Sequence, residues 1–323
     1  MQAVEPSTSA RVDREPGRPA PRRGRPRRRF QATPYLLMLP TIGVLAALLA
    51  YPIGRMVVLS FEKLTQRNLF LGEPGTWVGF QNYANTLTDS FFWTVVLRTL
   101  GVAAICVLLS VAIGLAVAML MRRVAGWIRL VMGVVMLLVW AMPQLVSTQV
   151  FRLLVDTDFG VVNYWLNMVP GLNYANYSWW VNPVTGWSVI IVLIVWGAIP
   201  FLAISLYAGL TQVPQELIEA AVVDGAGSWS VFRNVLLPVI RPLLVIVSTL
   251  SIIWDVGIFT QPFIMRGGQP EESYFTMQIY AFQEAFGASH YGPGAAISVI
   301  TVLILLGAMA AYVRQMFRIG EAD

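Results

Sequence analysis

The sequence is poor in the groups that enzymes and secreted scaffolds rely on. In 323 residues there is one histidine and one cysteine, and charged side chains make up only 12%, about half the ~25% usual in soluble domains. A lone Cys106 excludes a disulfide within the chain and any multi-cysteine metal site. No GxxxxGK[ST] phosphate loop occurs, so the chain lacks the usual means of holding ATP. So little charge also leaves too few polar groups to cover a soluble protein of this size. What is present is apolar, 57% of the residues. The composition predicts an all-α integral membrane protein.

The charge that exists is concentrated at one end. Nine arginines (Arg11, Arg14, Arg18, Arg22, Arg23, Arg25, Arg27, Arg28 and Arg29) precede residue 30, offset only by Glu5, Asp13 and Glu15. This segment, rich also in proline, glycine and serine, cannot bury a core. A disordered basic cytoplasmic tail is expected over 1–33, in preference to a nucleic-acid arm. No nucleic-acid partner is expected. The basic stretch is too long, and a small-residue cleavage site too absent, for a signal peptide.

A spanning helix needs ~20 mainly apolar residues, and apolar stretches of that length number six, five of them free of charge. The first predicts a helix near 35–58. The second lies between Arg98 and Arg122, and the third between Arg129 and Arg152. The stretch NYWLNMVPGLNYANYSWWVNP, full of Asn, Tyr and Trp, reads as an interfacial loop. The fourth span follows at 187–210, the fifth at about 240–264 with Asp255 inside it, and the sixth at about 293–314. A six-span domain over 34–318 and a short C-terminal tail at 319–323 complete the expected organisation.

An even number of spans places both termini on one side. That side carries sixteen basic residues: the tail arginines with Arg122, Arg123, Arg129, Arg233, Arg241, Arg314 and Arg318. The other side carries Lys63, Arg67, Arg98, Arg152 and Arg266, with Arg55 at a boundary. The positive-inside rule therefore predicts cytoplasmic termini in a cell membrane. Segments 60–92, 152–186 and 265–292 fall outside. Inside, 122–128 is a tight turn, and 211–239 is long and amphipathic.

That inner loop reads TQVPQELIEAAVVDGAGSWSVFRNVLLPVIRP. Pro214 suits a first helical turn, and Glu216 and Glu219 lie where the helix dipole favours anions. Asp224–Gly225 predicts a left-handed C-cap. A second short helix is expected from Ser228 to Leu236, with Pro238 and Pro242 resetting the chain before the fifth span. Leu217, Ala220, Ala221 and Ala226 make a small apolar knob edged by carboxylates.

At these residues the sequence resembles the membrane-spanning subunits of bacterial ATP-binding-cassette importers. The match is to their EAA loop, here Glu219–Ala220–Ala221, Asp224–Gly225–Ala226, Phe232, Leu237–Pro238 and Pro242. The resemblance implies a coupling helix that docks in a groove of a separate ATPase, with Gly225 at the turn and Glu219 in the acidic contact. WVGFQNYANTLTDSFFWTVVLRTL (77–100), FGVVNYWL (159–166), Trp254–Asp255 and AFQEAFGASHYGPGAAISV resemble the carbohydrate-uptake branch, relatives of maltose and glycerol-phosphate permeases. In Gly267–Gly268–Gln269–Pro270 a glutamine separates the branch's usual Gly-Gly-Pro. The arginine- and proline-rich tail and the Ala/Val bias are similar to permeases of actinobacterial disaccharide importers, trehalose importers in particular. These motifs do not fix the sugar.

The resemblance covers about residues 35–315 and implies a set of partners: a second six-span permease, two ATP-binding-cassette subunits and an extracytoplasmic sugar-binding lipoprotein. ATP and magnesium would sit on the ATPase and no cofactor on this chain, which is not itself an enzyme. The chain's own surroundings would be membrane lipid.

A neutral sugar needs hydrogen bonds to its hydroxyls and aromatic faces against its C–H surfaces. Leu193, Trp196, Gly197 and Phe201 fall at helical spacing on the fourth span, with Pro200 expected to kink or loosen it. Ser251, Trp254, Asp255 and Gly257 lie within two turns on the fifth. An ionisable residue at membrane depth is costly unless it faces protein or water, which makes Asp255 a functional candidate. The same aromatics fit helix packing, and Asp255 fits an inter-helix hydrogen bond. The resemblance favours a substrate path along these residues. Pro143, Gln144 and Gln149 suit either a path or helix packing. The expected function is thus a sugar permease driven by an external ATPase, with glycerol-phosphate or another small polar solute as the alternative substrate. A secondary transporter would need coupling-ion residues, and a channel a filter or charged rings. Neither pattern is visible.

Overall fold

The computed structural model describes residues 33–320. The tail expected over 1–33 lies outside the described residues except for Thr33. Of the C-terminal tail expected at 319–323, Ile319 and Gly320 belong to a helix and the rest lies outside. The chain divides into two units, one up to Tyr51 and one from Pro52. The apolar helix α1 is Leu37–Leu59 and α2 is Ser90–Arg123. Then come α3 (Gly126–Ala141), α4 (Gln144–Leu154), α5 (Pro183–Thr211) and α6 (Gln215–Val223). The last three are α7 (Ser228–Val256), α8 (Thr260–Met265) and α9 (Tyr291–Gly320). Among these, α1, α2, α5, α7 and α9 are long and apolar enough to cross a membrane, and α3 with α4 makes a sixth when counted as one bent span.

Two breaks depart from the straight spans expected. The third gap does not hold one helix, because α3 and α4 meet at 98°. Pro143 has no N–H to give to the turn before it, and the residue preceding a proline is pushed to extended backbone. Met142 accordingly sits at φ −69°, ψ 127°. The fifth span ends at Val256 and not near 264. Pro262 cannot donate to the Ile258 carbonyl, which accepts instead from the Thr276 hydroxyl at 2.8 Å. At its other end α7 begins early. It runs through Pro238 and Pro242, with a π-helical turn at Phe232–Leu236 just before them. The helix continues through both prolines, which do not reset the chain. Pro200 likewise lies inside an unbroken α5.

The helices pack in three clusters. One joins Val102 and Cys106 of α2 to Trp187, Ile190 and Leu193 of α5 and to Tyr274. A second joins Ala118 to Leu202, Leu206 and Leu210 and to Val231, Leu236 and Ile240 of α7. A third gathers Phe92, Val95 and Val96 with Met277, Ala281 and Ile297. Helices α2 and α5 approach closely at Gly114, where a Cβ would come 2.8 Å from that of Leu202. Small residues at such crossings are how helices gain contact in lipid, where water exclusion supplies little. Leu97 and Leu108, on the opposite side of α2, are each 70% exposed. A helix that turns leucine outward and packs small residues inward is built for an apolar solvent.

The segments between spans are folded. Glu62–Lys63 pairs antiparallel with Thr76–Trp77, and the Asn82 amide holds the Ser60 and Glu62 carbonyls at 2.9 and 3.0 Å. The Asn163 amide bonds the Tyr177 carbonyl and accepts from Trp179 Nε1 at 2.7 Å. Asp156 accepts from the N–H groups of Phe159 and Asp158, which holds its carboxyl below the usual range. Arg129 donates to the Met121 and Val124 carbonyls, closing the turn between α2 and α3.

Candidate functional site

A cavity of about 360 Å³ opens where the two breaks meet α5, toward the lower end of the ~300–1,000 Å³ typical of small-molecule sites. The end of α3 contributes Val139 and Trp140, and the start of α4 contributes Gln144 and Ser147. From α5 come Leu193, Trp196, Gly197 and Phe201; from the end of α7 come Trp254, Asp255 and Gly257. Phe259, Thr260 and Gln261 close another wall.

The aromatic walls are braced. Trp196 lies 5.3 Å from the Phe151 ring, and Trp254 meets Phe201 edge to face at 5.2 Å. A Cβ on Gly197 would meet nothing within 4 Å, so this glycine is a gap in the wall. Pro200 offers no N–H to the Trp196 carbonyl one turn back, leaving that oxygen without its usual helical donor. Asp255 is only 6% exposed, and its Oδ2 has no hydrogen-bond partner among the described residues. A buried acceptor left open in this way costs free energy unless something occupies it.

Of the seven residues expected along a solute path, the structure brings six to one cavity: Trp196, Gly197, Phe201, Trp254, Asp255 and Gly257. Ser251 does not line it; it is buried one turn behind Asp255. Gln144, which the sequence left undecided, joins the wall, whereas Gln149 does not. Trp140, Ser147, Phe259, Thr260 and Gln261 were missed altogether. The available signal was Pro143: a proline within an apolar span, followed at once by an amide, marks a break with a polar mouth.

The 211–239 segment is a second, separate feature. Gly225 has φ +83°, with Gly225 N–H donating to the Val222 carbonyl and Ala226 N–H to that of Ala221 at 2.9 Å. This pair of bonds is a Schellman cap, the left-handed turn expected of Asp224–Gly225. Glu216, Leu217, Glu219, Ala220 and Asp224 are exposed. Ala221 and Ala226 instead lean on the cluster around Val213 and Val231. The outward apolar surface is therefore Leu217 and Ala220 together with Val222 and Val223. The early-starting α7 anchors this unit directly to a span.

Comparison with known proteins places these features in one family. Residues 110–320 match the model for the binding-protein-dependent transport system inner membrane component. The chain is 40% identical over 290 residues to the diacetylchitobiose uptake system permease protein of Streptomyces coelicolor, covering 90% of this chain and 88% of that one. It is 28% identical to the trehalose/maltose transport system permease protein of Thermococcus litoralis, over 87% and 92% of the two chains. In fold it is similar to a chain in the crystal structure of a bacterial alginate ABC transporter in complex with alginate pentasaccharide-bound periplasmic protein. That match has a TM-score of 0.72 at 18% identity, covering 89% of this chain and 94% of the other. With its apolar spans and this match across most of its length, the chain is a multi-pass membrane protein that belongs to the family of binding-protein-dependent transport system inner membrane components.

Proposed function

We propose that this chain is one permease subunit of an ATP-driven, binding-protein-dependent sugar importer. In this reading it has six spans, with α3 and α4 as one broken span, and both termini lie in the cytoplasm. The domain limits stay at 34–318, with the basic tail before them. The observation that carries the proposal is the cavity. Aromatic faces from Trp196, Phe201 and Trp254 stand beside hydrogen-bonding groups from Gln144, Gln261 and Asp255, the mixture a polyhydroxylated ring requires. The relatives named for sugar uptake support the same substrate class.

The cavity is one wall of the path, and a second permease supplies the other. Glu219, with Glu216, Ala220, Ala221, Asp224, Gly225 and Ala226, forms the coupling helix that meets one of two ATPase subunits, where ATP and magnesium are held. A binding protein docks on the folded segments at 60–92, 152–186 and 265–292. ATP binding draws the ATPases together, moves the coupling helices and turns the cavity outward. A ligand shifts such an equilibrium only through different affinities for its two states. A disaccharide fits the cavity volume, and trehalose is the first to try.

Reconstitution with the ATPase, the second permease and the binding protein tests this. Stimulation of ATP hydrolysis by one neutral disaccharide in a panel, together with its uptake into liposomes, is the expected result. Stimulation by glycerol-phosphate alone favours the alternative substrate, and no stimulation by any solute overturns the reading.

A further inference from the structure

The cavity has a charge sign. Asp255 belongs to its lining and is 6% exposed, with a buried Oδ2 that has no partner among the described residues, while no lysine, arginine or histidine occurs in that lining. The only salt bridges in the described residues, Arg55–Glu62, Arg266–Glu271 and Glu284–His290, involve none of the lining residues. The helix ends do not supply a compensating field. Helix α3 ends and α4 begins at the same wall, so their terminal partial charges oppose each other. The C-terminal end of α7, which carries Asp255, is likewise met by the start of α8 at Thr260, so these two ends oppose each other as well.

We infer that Asp255 is a charge filter. The cavity accepts solutes rich in donors, neutral or cationic, and rejects those carrying a carboxylate, sulfonate or phosphate. The inference rests on the sugar-path reading and narrows it to neutral and amino sugars. A hydroxyl, amide or ammonium donor satisfies Oδ2. An anionic group brings a second negative charge against a wall on which this chain offers no cation to receive it, and such juxtaposition is how a site discriminates by repulsion.

The test uses the assembled permease–ATPase complex in lipid nanodiscs without the binding protein, so that no other subunit selects the sugar. Three β-1,4-linked disaccharides share one scaffold and differ in charge through a single type of substitution: cellobiose, cellobiouronic acid with a carboxylate at C6, and the glucosamine dimer with ammonium groups at C2. Binding is read as the half-saturating concentration for the tryptophan fluorescence change. Cellobiose and the glucosamine dimer should bind, and the uronic acid should bind at least about ten-fold more weakly, the consequence of one uncompensated like charge. Asp255→Asn keeps the shape and should bring the uronic acid within about three-fold of cellobiose, while Asp255→Glu should keep the gap. Equal binding of all three by the native complex overturns the inference, as does an undiminished gap in Asp255→Asn. If that variant fails to assemble, the native comparison and Asp255→Glu decide. No response to any of the three, in a complex that still hydrolyses ATP, removes the sugar path itself.

Discussion

The turn at Gly225 comes just before α7 and the cavity residue Asp255 lies near its far end, yet the two are made in opposite ways. The turn is assembled from neighbours in sequence. Pro214, the run Gln215–Val223 and Gly225 close a Schellman cap with bonds that span five residues at most. The cavity draws on α3, α4, α5, α7 and α8, so its walls are separated by more than a hundred residues. A motif built from local bonds should fail sharply when one residue is wrong. A cavity built from packed helices should tolerate small changes and respond to its volume and charge.

The largest effect is expected at the turn. Gly225 at φ +83° holds a conformation that costs a β-branched residue about 1–2 kcal/mol or more. Gly225→Val should reduce sugar uptake to background while the protein still inserts in the membrane, as immunoblots of membrane fractions would show. Uptake at the native rate would remove this turn from coupling and erase the contrast with the cavity.

Glu219→Lys comes next. Glu219 is exposed on α6, so reversing its charge disturbs no packing within the chain. Loss of the ATPase on co-purification, with uptake down by roughly ten-fold or more, is expected from the loss of one charge-assisted contact of about 1.5–3 kcal/mol. Retained co-purification and uptake would mean that the ATPase reads another face, such as the exposed Val222–Val223 edge.

These two regions also differ in how far the sequence revealed them. The turn was legible residue by residue, because Asp224–Gly225 after a helical run has few other outcomes. The six cavity residues were legible as types at helical spacing, aromatic, small and acidic, on two spans. The walls added by α3, α4 and α8 were not. Their presence depends on breaks at Pro143 and at Gly257–Pro262, and a count of apolar residues between charges passes over a proline without registering it. The same count placed the end of the fifth span eight residues late. Prolines at 200, 238 and 242 stay within helices, whereas Pro143 stands at a break and Pro262 sits just inside the helix that follows one, and a count of apolar residues treats them all alike.

A third change probes the cavity by volume. A Cβ added at Gly197 would meet nothing within 4 Å, and Gly197→Leu should fold and assemble normally. It should lower uptake by roughly ten-fold, equivalent to about 1.4 kcal/mol on the limiting step, and leave basal ATP hydrolysis intact. Unchanged uptake would place the path elsewhere than along α5.

The smallest effect is expected at the end of the cavity wall where α8 gives way to the segment that follows it. The Arg266 guanidinium lies 4.8 Å above the Tyr274 ring and 5.2 Å above Trp180, and its Nε donates to Glu271 at 2.8 Å. That bond holds the Glu271 carboxyl below the usual range. The stabilisation is therefore present above the ordinary glutamate pKa and is lost as pH falls through the lowered one. Glu271 is 58% exposed, so solvent screening limits the pair to about 0.2–1 kcal/mol. Glu271→Gln should lower the melting temperature by about 1–3 °C at pH 7, and the gap should close as the pH falls through the lowered carboxyl pKa. Arg266→Ala should cost more, since it also uncovers two aromatic rings, and that excess should persist at low pH. Cavity binding should weaken slightly in both variants, because the brace holds the end of the wall that contains Gln261. Basal ATP hydrolysis should stay unchanged, because the Gly225 cap draws its bonds from its own neighbours. A matching loss of hydrolysis would show that the turn leans on this segment after all, through α7.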